Sequence, residues 1–102
     1  MSAPAGIGYA KVADALAAVQ ADPDIIRTDM DGWLVVQQPA RNAQWSFAPA
    51  GHPAYPAVML RTIRRQTDGR RKVDSQLLCE GPAAACTELA AEFARSTDRL
   101  QQ

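Results

Sequence analysis

The sequence predicts an α+β fold in which a five-stranded antiparallel sheet, in the order α-β-β-β-β-β-α, has its N- and C-terminal helices packed on one face. Two segments near the chain ends carry apolar residues at helical spacing, and five shorter β-prone runs lie between them. Two of the connections contain Asp-Gly, a strong short-range signal for a hairpin. A length of 102 residues, of which 47% are hydrophobic and 22% charged, fits a single globular domain spanning residues 1–102.

The first helix is predicted from Tyr9 to Ala21. Its apolar side chains recur at the spacing of one helical stripe, with alanines between them. This stripe consists of Tyr9, Val12, Leu16 and Val19. Asp22-Pro23 ends the helix, because the residue before a proline is pushed out of the α region.

The first three strands follow this helix. Strands one and two are predicted at Ile25 to Met30 and Trp33 to Gln38, on either side of Asp31-Gly32. Both residues of an Asp-Gly pair accept positive φ, which suits a two-residue hairpin turn. Pro39 to Asn42 has the composition of a turn, and Gln44 to Ala48 has the alternation of a third strand.

Strands four and five are predicted at Ala57 to Gln66 and Arg70 to Glu80, joined by the turn Thr67-Asp68-Gly69. On strand five the apolar residues alternate with charged and polar ones, which is the pattern of a sheet with one buried side. The side predicted to be buried consists of Val73, Leu77 and Cys79. Leu78 breaks this alternation.

The last helix is predicted to begin at Gly81-Pro82, because proline is well tolerated at the first helical position. Its apolar stripe consists of Cys86, Leu89, Ala90, Phe93, Thr97 and Leu100. Each helix therefore has one apolar face, and so does the sheet. The simplest arrangement that buries all three places both helices on the same face of the sheet.

Charge and hydropathy exclude several classes of protein. The formal net charge is zero, so no general electrostatic attraction to nucleic acid or anionic lipid is expected. The apolar runs are too short for a membrane span. The opening residues M-S-A-P-A-G lack the basic and apolar regions of a signal peptide, so we expect either a cytosolic protein or a mature form whose leader has been removed.

The two cysteines lie at a strand-to-helix corner, since Cys79 ends strand five and Cys86 lies in the first turns of the last helix. This convergence favours a disulfide, which would contribute roughly 2 to 3 kcal/mol by closing a short loop. An even cysteine count at such a corner also fits an oxidising compartment. The alternative is a pair of buried thiols acting as small apolar side chains, as in many cytosolic proteins.

Catalytic chemistry has little support in the sequence. His52 is the only histidine, and no feature places the potential nucleophiles Ser46 or Cys79 beside it. Motifs for phosphate, dinucleotide, calcium or zinc-protease sites are absent. The two cysteines and one distant histidine do not form a convincing set of zinc ligands. We therefore predict no catalytic residue, cofactor or metal.

The segment from Trp45 to Val58, W-S-F-A-P-A-G-H-P-A-Y-P-A-V, is predicted to comprise the end of strand three, a crossover stiffened by three prolines that presents His52 and Tyr55, and the start of strand four. A second feature is a run of basic residues between Arg61 and Lys72, for which a solvated hairpin is the simplest interpretation. Aromatic and arginine side chains exposed together are typical of protein-binding surfaces. The predicted partner-binding residues are Trp33, His52, Tyr55, Arg61, Arg64, Arg65 and Arg71.

The segment at residues 45–58, the Asp68-Gly69 turn and C-E-G-P-A-A-A-C-T-E-L-A-A-E-F at residues 79–93 resemble the C-terminal block of small, uncharacterised exported proteins of proteobacteria. The resemblance covers residues 45–99. It implies a leader-bearing periplasmic protein with a disulfide between its cysteines. It implies no activity and no catalytic residue.

The first functional hypothesis is a non-enzymatic, periplasmic or secreted protein-binding module in its mature form, such as an inhibitor, an immunity protein or an envelope accessory or chaperone protein. The second is a small enzyme or ligand-binding domain that uses His52 and Tyr55 in a pocket under the Pro-rich loop. Nucleic-acid binding is disfavoured by the zero net charge. We expect a monomer or a weak homodimer, since sheet edges permit pairing between copies, although the charged hairpin opposes it.

Overall fold

A computed structural model describes residues 7–100, apart from the side chain of Leu100. The opening residues 1–6, on which the expectation of a missing leader depends, lie outside the described residues, as does the Leu100 side chain of the predicted stripe. The elements are α1 (Val12–Gln20), β1 (Ile26–Met30), β2 (Trp33–Gln38), a 3-10 turn (Pro39–Arg41), β3 (Ala43–Phe47), β4 (Ala57–Arg65), β5 (Arg71–Cys79) and α2 (Ala83–Leu100).

The five strands form one antiparallel sheet in chain order, so that β1 and β5 are its edges. The predicted α+β class, the five-stranded antiparallel sheet and the two terminal helices are confirmed. One continuous row of side chains crosses four strands because their registers align. This row consists of Leu34, Phe47, Val58 and Leu78.

Both Asp-Gly connections form the predicted hairpins. Asp31 and Gly32 have φ values of 54° and 87°, as a two-residue turn of the type preferred in hairpins requires. In the second hairpin Gly69 has a φ of 85°, and its N–H donates to the carbonyl of Gln66 at 3.0 Å. These turns fix the registers of β1 with β2 and of β4 with β5.

One face of the sheet is covered by α1, and we call it the α1 face. Val12, Ala15 and Val19 of the helix are buried against side chains that alternate along the strands. The strand residues of this cluster are Val36, Trp45, Phe47, Val58 and Leu60, with Leu34, Ala43 and Leu78 partly buried around them. Tyr9, predicted inside the helix, precedes it and packs on the ring of Trp45 at 6.2 Å between centroids.

The opposite face is covered by α2, and we call it the α2 face. Leu89 of the helix is buried with Ala57, and Met59, Leu77 and Cys79 are packed against them. Ala57 and Met59 alternate with Val58 and Leu60 of the α1 face, so the two clusters lie on opposite sides of β4.

The two helices thus lie on opposite faces of the sheet rather than on one face. The physical reason is visible on β5, where Leu78 belongs to the α1 cluster while Leu77 and Cys79 belong to the α2 cluster. A strand that is apolar on both sides needs cover on both sides. Ala90 of the predicted α2 stripe is exposed, whereas Leu89 and Phe93 are buried.

A disulfide joins the two cysteines, as predicted, and holds the start of α2 on the α2 face of the sheet. The Sγ atoms of Cys79 and Cys86 are 2.07 Å apart, and the bond links the last residue of β5 to the first turn of α2. Gly81, between them, lies against the backbone of Ala54 in the Pro-rich loop. The prediction of a disulfide is therefore confirmed, and the corner is closed by both a covalent bond and a close backbone contact.

Candidate functional site

A cleft of about 640 Å³ lies at the end of the sheet near the β4–β5 hairpin. Its lining combines arginines, glutamines and apolar side chains and contains no carboxylate. We name it the arginine cleft. Its principal residues are Gln37, Gln44, Arg61, Ile63, Arg70, Arg71 and Val73.

Strand alternation explains why these residue types meet. Arg61 and Ile63 of β4 point to the α2 face, and Arg71 and Val73 of β5 do the same. Ile63 lies directly opposite Val73 in register, which gives the cleft an apolar centre. Ile63 remains 41% exposed, although it is a large aliphatic side chain.

Arg61 forms the boundary between the cleft and α2. Its Nε donates to Thr97 Oγ1 at 3.2 Å, and its Nη2 donates to Ser96 Oγ at 2.6 Å. The guanidinium also lies over the ring of Phe93, 4.5 Å from the centroid. Burial lowers the pKa of Arg61 from its ordinary value. Arg61 therefore fastens α2 to β4, and it lines the cleft from a fixed position.

The mouth of the cleft carries an accumulation of positive charge. Arg65 and Arg71 are directly opposite each other in register and both are exposed. Like charges directly opposite each other are destabilising. Arg70 adds a third guanidinium, whose Nε is 3.7 Å from Asp68 Oδ2 in an exposed pair. A bound anion would relieve the repulsion between Arg65 and Arg71.

Arg64 points to the other side of the sheet. It alternates with Ile63 and Arg65 along β4 and lies on the α1 face. Its Nε donates to Asp74 Oδ2 at 2.6 Å, in a pair of exposed side chains. Arg64 is therefore separated from the other arginines that the sequence grouped with it.

The predicted residues Trp33, His52 and Tyr55 lie at the opposite end of the sheet. The ring of His52 makes an edge contact with Trp33 at 5.2 Å between centroids. Its Nδ1 accepts a hydrogen bond from the Ala54 N–H at 3.0 Å. Tyr55 is 47% exposed. The nine residues from Ala57 to Arg65 span about 26 Å of strand, so these aromatics and the Arg65–Arg71 pair form two separate surfaces.

The two potential nucleophiles named from the sequence, Cys79 and Ser46, lie in different surroundings. Cys79 is in the disulfide, so it does not present a thiol. Ser46 is half-buried in the middle of β3. Within residues 7–100, no group of three metal-ligating side chains is present. The hypothesis of a ligand pocket formed by His52 and Tyr55 stays a prediction, and neither residue lines the arginine cleft.

A smaller cleft of about 300 Å³ lies on the α1 face beside Tyr9 and Trp45. Its polar wall is a short relay in which Trp45 Nε1 donates to Gln38 Oε1 at 2.7 Å. The Gln38 Nε2 group in turn donates to Asp22 Oδ2 at 3.0 Å. These bonds satisfy the buried Gln38, so we interpret this wall as structural.

The neutral half of the arginine cleft was not predicted from the sequence. Gln37 and Gln44, which belong to adjacent strands, were not among the predicted binding residues, and neither were Ile63 and Val73. The available signal for an apolar centre was the pair of β-branched side chains, Ile63 and Val73, among the arginines. They share a face only when the register of the Asp68-Gly69 hairpin is known.

Comparisons of the chain with protein families, with curated proteins and with solved structures gave no match. In the described part of the chain, no helix has the length and apolar character needed to cross a membrane.

Proposed function

We propose that this chain is a non-enzymatic protein-binding module whose arginine cleft holds an acidic segment of a partner protein. The observation that carries the proposal is the composition of the cleft: three arginines, three glutamines, an asparagine and an Ile63–Val73 centre, with no carboxylate in the lining. A cationic rim around an apolar centre is the arrangement found in many protein interfaces.

The chemistry of the cleft favours a protein segment over other anions. Arginine forks bind carboxylates through paired hydrogen bonds, and Arg70 and Arg71 are exposed at the mouth. Ile63 beside them offers apolar area that an inorganic ion or a phosphate backbone would leave uncovered. A chain that alternates acidic and apolar side chains matches both features. The overall charge of zero also disfavours nucleic acid.

The cellular setting belongs to the same proposal. The disulfide supports an oxidising compartment, and the proposal is that the protein acts in the bacterial periplasm or outside the cell. There it would act as an inhibitor or immunity protein, or as an envelope accessory or chaperone protein. The resemblance to small exported proteobacterial proteins is part of this proposal.

The first experiment uses a defined probe. An extended synthetic peptide in which glutamate and valine alternate is titrated into the protein by calorimetry, and a glutamine and valine peptide serves as the neutral control. Arg71→Glu should weaken binding of the acidic peptide at least about tenfold, since it places a carboxylate in the cleft. Arg95→Glu, which makes the same charge change on the exposed side of α2, should alter binding less than about twofold.

The same three proteins then serve as baits in a periplasmic extract. The expected result is a protein retained by the wild type and by Arg95→Glu but lost from Arg71→Glu. The proposal fails if the acidic and neutral peptides bind equally, or if both variants bind the acidic peptide as the wild type does. Tighter binding of DNA than of the acidic peptide would also overturn it.

A further inference from the structure

β1 is the edge strand next to β2, where its Ile26 is paired with the cleft residue Gln37, and its exposure is unusual for a strand with apolar residues. All five of its residues are exposed. Ile26 and Met30 are 55% and 57% exposed, and both point to the α2 face, which α2 covers at β4 and β5. An edge strand with apolar side chains is a template for pairing with another strand.

The hairpin turn determines which backbone groups point outward. Met30 and Trp33 close the two-residue Asp31-Gly32 turn, and the residues that close such a turn are hydrogen-bonded to each other. Hydrogen-bonded and non-hydrogen-bonded positions alternate along an antiparallel pair. The N–H and C=O groups of Ile26, Thr28 and Met30 therefore point to β2. Those of Arg27 and Asp29 point outward.

The side chains of β1 are complementary to themselves in one register. If a second copy pairs antiparallel about Thr28, Arg27 of each chain lies opposite Asp29 of the other. These are the residues whose backbone groups point outward, so each Arg27–Asp29 position becomes a hydrogen-bonded pair with opposite charges on the α1 face. On the other face, Ile26 lies opposite Met30.

Neighbouring registers lack this complementarity. A shift of two residues in one direction places Arg27 opposite its own copy, and the same shift in the other direction does so for Asp29. Like charges directly opposite each other are unfavourable. A shift of one residue would exchange the two faces and move Ile26 and Met30 away from each other. The sequence of β1 therefore favours one pairing over its neighbours.

We infer that two copies of this chain associate through β1 about a two-fold axis at Thr28, forming one continuous ten-stranded antiparallel sheet. The charged β4–β5 hairpin does not oppose this association, because it lies at the other edge of the sheet. The inference does not depend on the proposed function.

The test is an exchange of charges measured by analytical ultracentrifugation from about 10 μM to about 1 mM. Wild type should show a monomer–dimer equilibrium. Arg27→Asp and Asp29→Arg should each raise the dissociation constant at least about tenfold, because each creates two pairs of like charges. The double exchange, Arg27→Asp with Asp29→Arg, should restore it. Mixing the two single variants should give a heterodimer, because their strands are complementary.

Circular dichroism verifies the fold of each variant, and the double exchange keeps the composition and net charge of the wild type. A wild type that is monomeric throughout the range overturns the inference. So does a dimer that both single variants leave unchanged, since it would use another surface. Loss of the dimer in the double exchange as well as in the single variants would also exclude this register.

Discussion

The side-chain carboxylate of Glu80 accepts a hydrogen bond from the backbone N–H of Val12, and the distance from Oε2 to N is 2.6 Å. Val12 is the first residue of α1, and the preceding residue, Lys11, provides no side-chain cap. Glu80 lies between β5 and α2, so the N-terminus of the first helix is capped by a residue 68 positions later in the chain. The carboxylate also lies at the positive end of the helix dipole.

We expect Glu80→Ala to lower the free energy of unfolding by about 1 kcal/mol, because the N-terminus of α1 loses its cap and its favourable charge. Glu80→Gln should lose less, since an amide oxygen still accepts the bond. Urea unfolding measures the difference. Glu92→Ala, on the exposed side of α2, is the matched control and should change stability by less than about 0.5 kcal/mol.

A local cap should replace the distant one. Lys11 has φ −132° and ψ 149°, the extended conformation of an N-cap residue. Lys11→Asp in the Glu80→Ala background should therefore recover most of the loss. If Glu80→Ala is as stable as Glu92→Ala, the hydrogen bond to Val12 does not contribute to the fold.

Gly81→Ala should lower stability by about 2 kcal/mol, because the new methyl group would overlap the backbone of Ala54. A Cβ at this position would lie 2.6 Å from the Ala54 carbonyl carbon, and two backbone segments would have to move. Gly51→Ala is the control, since no atom lies within 4 Å of its Cβ position. It should leave stability unchanged or raise it by less than about 1 kcal/mol. Equal thermal midpoints for the two variants would contradict the prediction.

The buried hydrogen bond between Gln38 and Trp45 should show coupling in a double-mutant cycle. Gln38→Leu leaves the Trp45 Nε1–H without its acceptor in the core, which should lower stability by about 1 to 3 kcal/mol. Trp45→Phe removes the donor, so Gln38→Leu should be less harmful in that background. We expect a coupling energy of at least about 0.5 kcal/mol from denaturant unfolding. Additive effects would show that the bond does not stabilise the fold.

Reduction of the Cys79–Cys86 disulfide should lower stability by about 2.5 kcal/mol, the value expected for closing a loop of this length in the unfolded chain. The double variant Cys79→Ala with Cys86→Ala should unfold at the same denaturant midpoint with and without dithiothreitol. The wild type should move towards that midpoint only when reduced. A wild type whose thiols titrate after reduction but whose midpoint does not move would contradict the prediction.

Most of the secondary structure could be predicted because its signals are local. Asp31-Gly32 and Asp68-Gly69 mark two hairpins, and the β2 boundaries at Trp33 and Gln38 agree with the structure. Which face of the sheet each helix covers could not be predicted in the same way. Leu78 interrupts the pattern of β5, and this interruption was the sign of a second buried face.

The candidate site was predicted in part. The arginine-rich hairpin is present in the structure. Because side chains alternate along β4, Arg64 lies on the α1 face beside Asp74, whereas Arg65 lies on the α2 face. Arg61 is held by Ser96 and Thr97, which are distant in sequence. The aromatic residues grouped with the arginines lie at the other end of the sheet. Residue type indicated an arginine-rich surface, whereas strand register determined which residues share it.

The sequence by itself determined the helices, the five strands and the two turns, because propensity, periodicity and positive-φ residues act within a few positions of the chain. It also indicated the Cys79–Cys86 pairing. Only the tertiary structure decided on which face each helix lies, which arginines share a cleft, and that Glu80 caps α1. These are contacts between residues far apart in the chain, and they depend on register and on which faces must be buried.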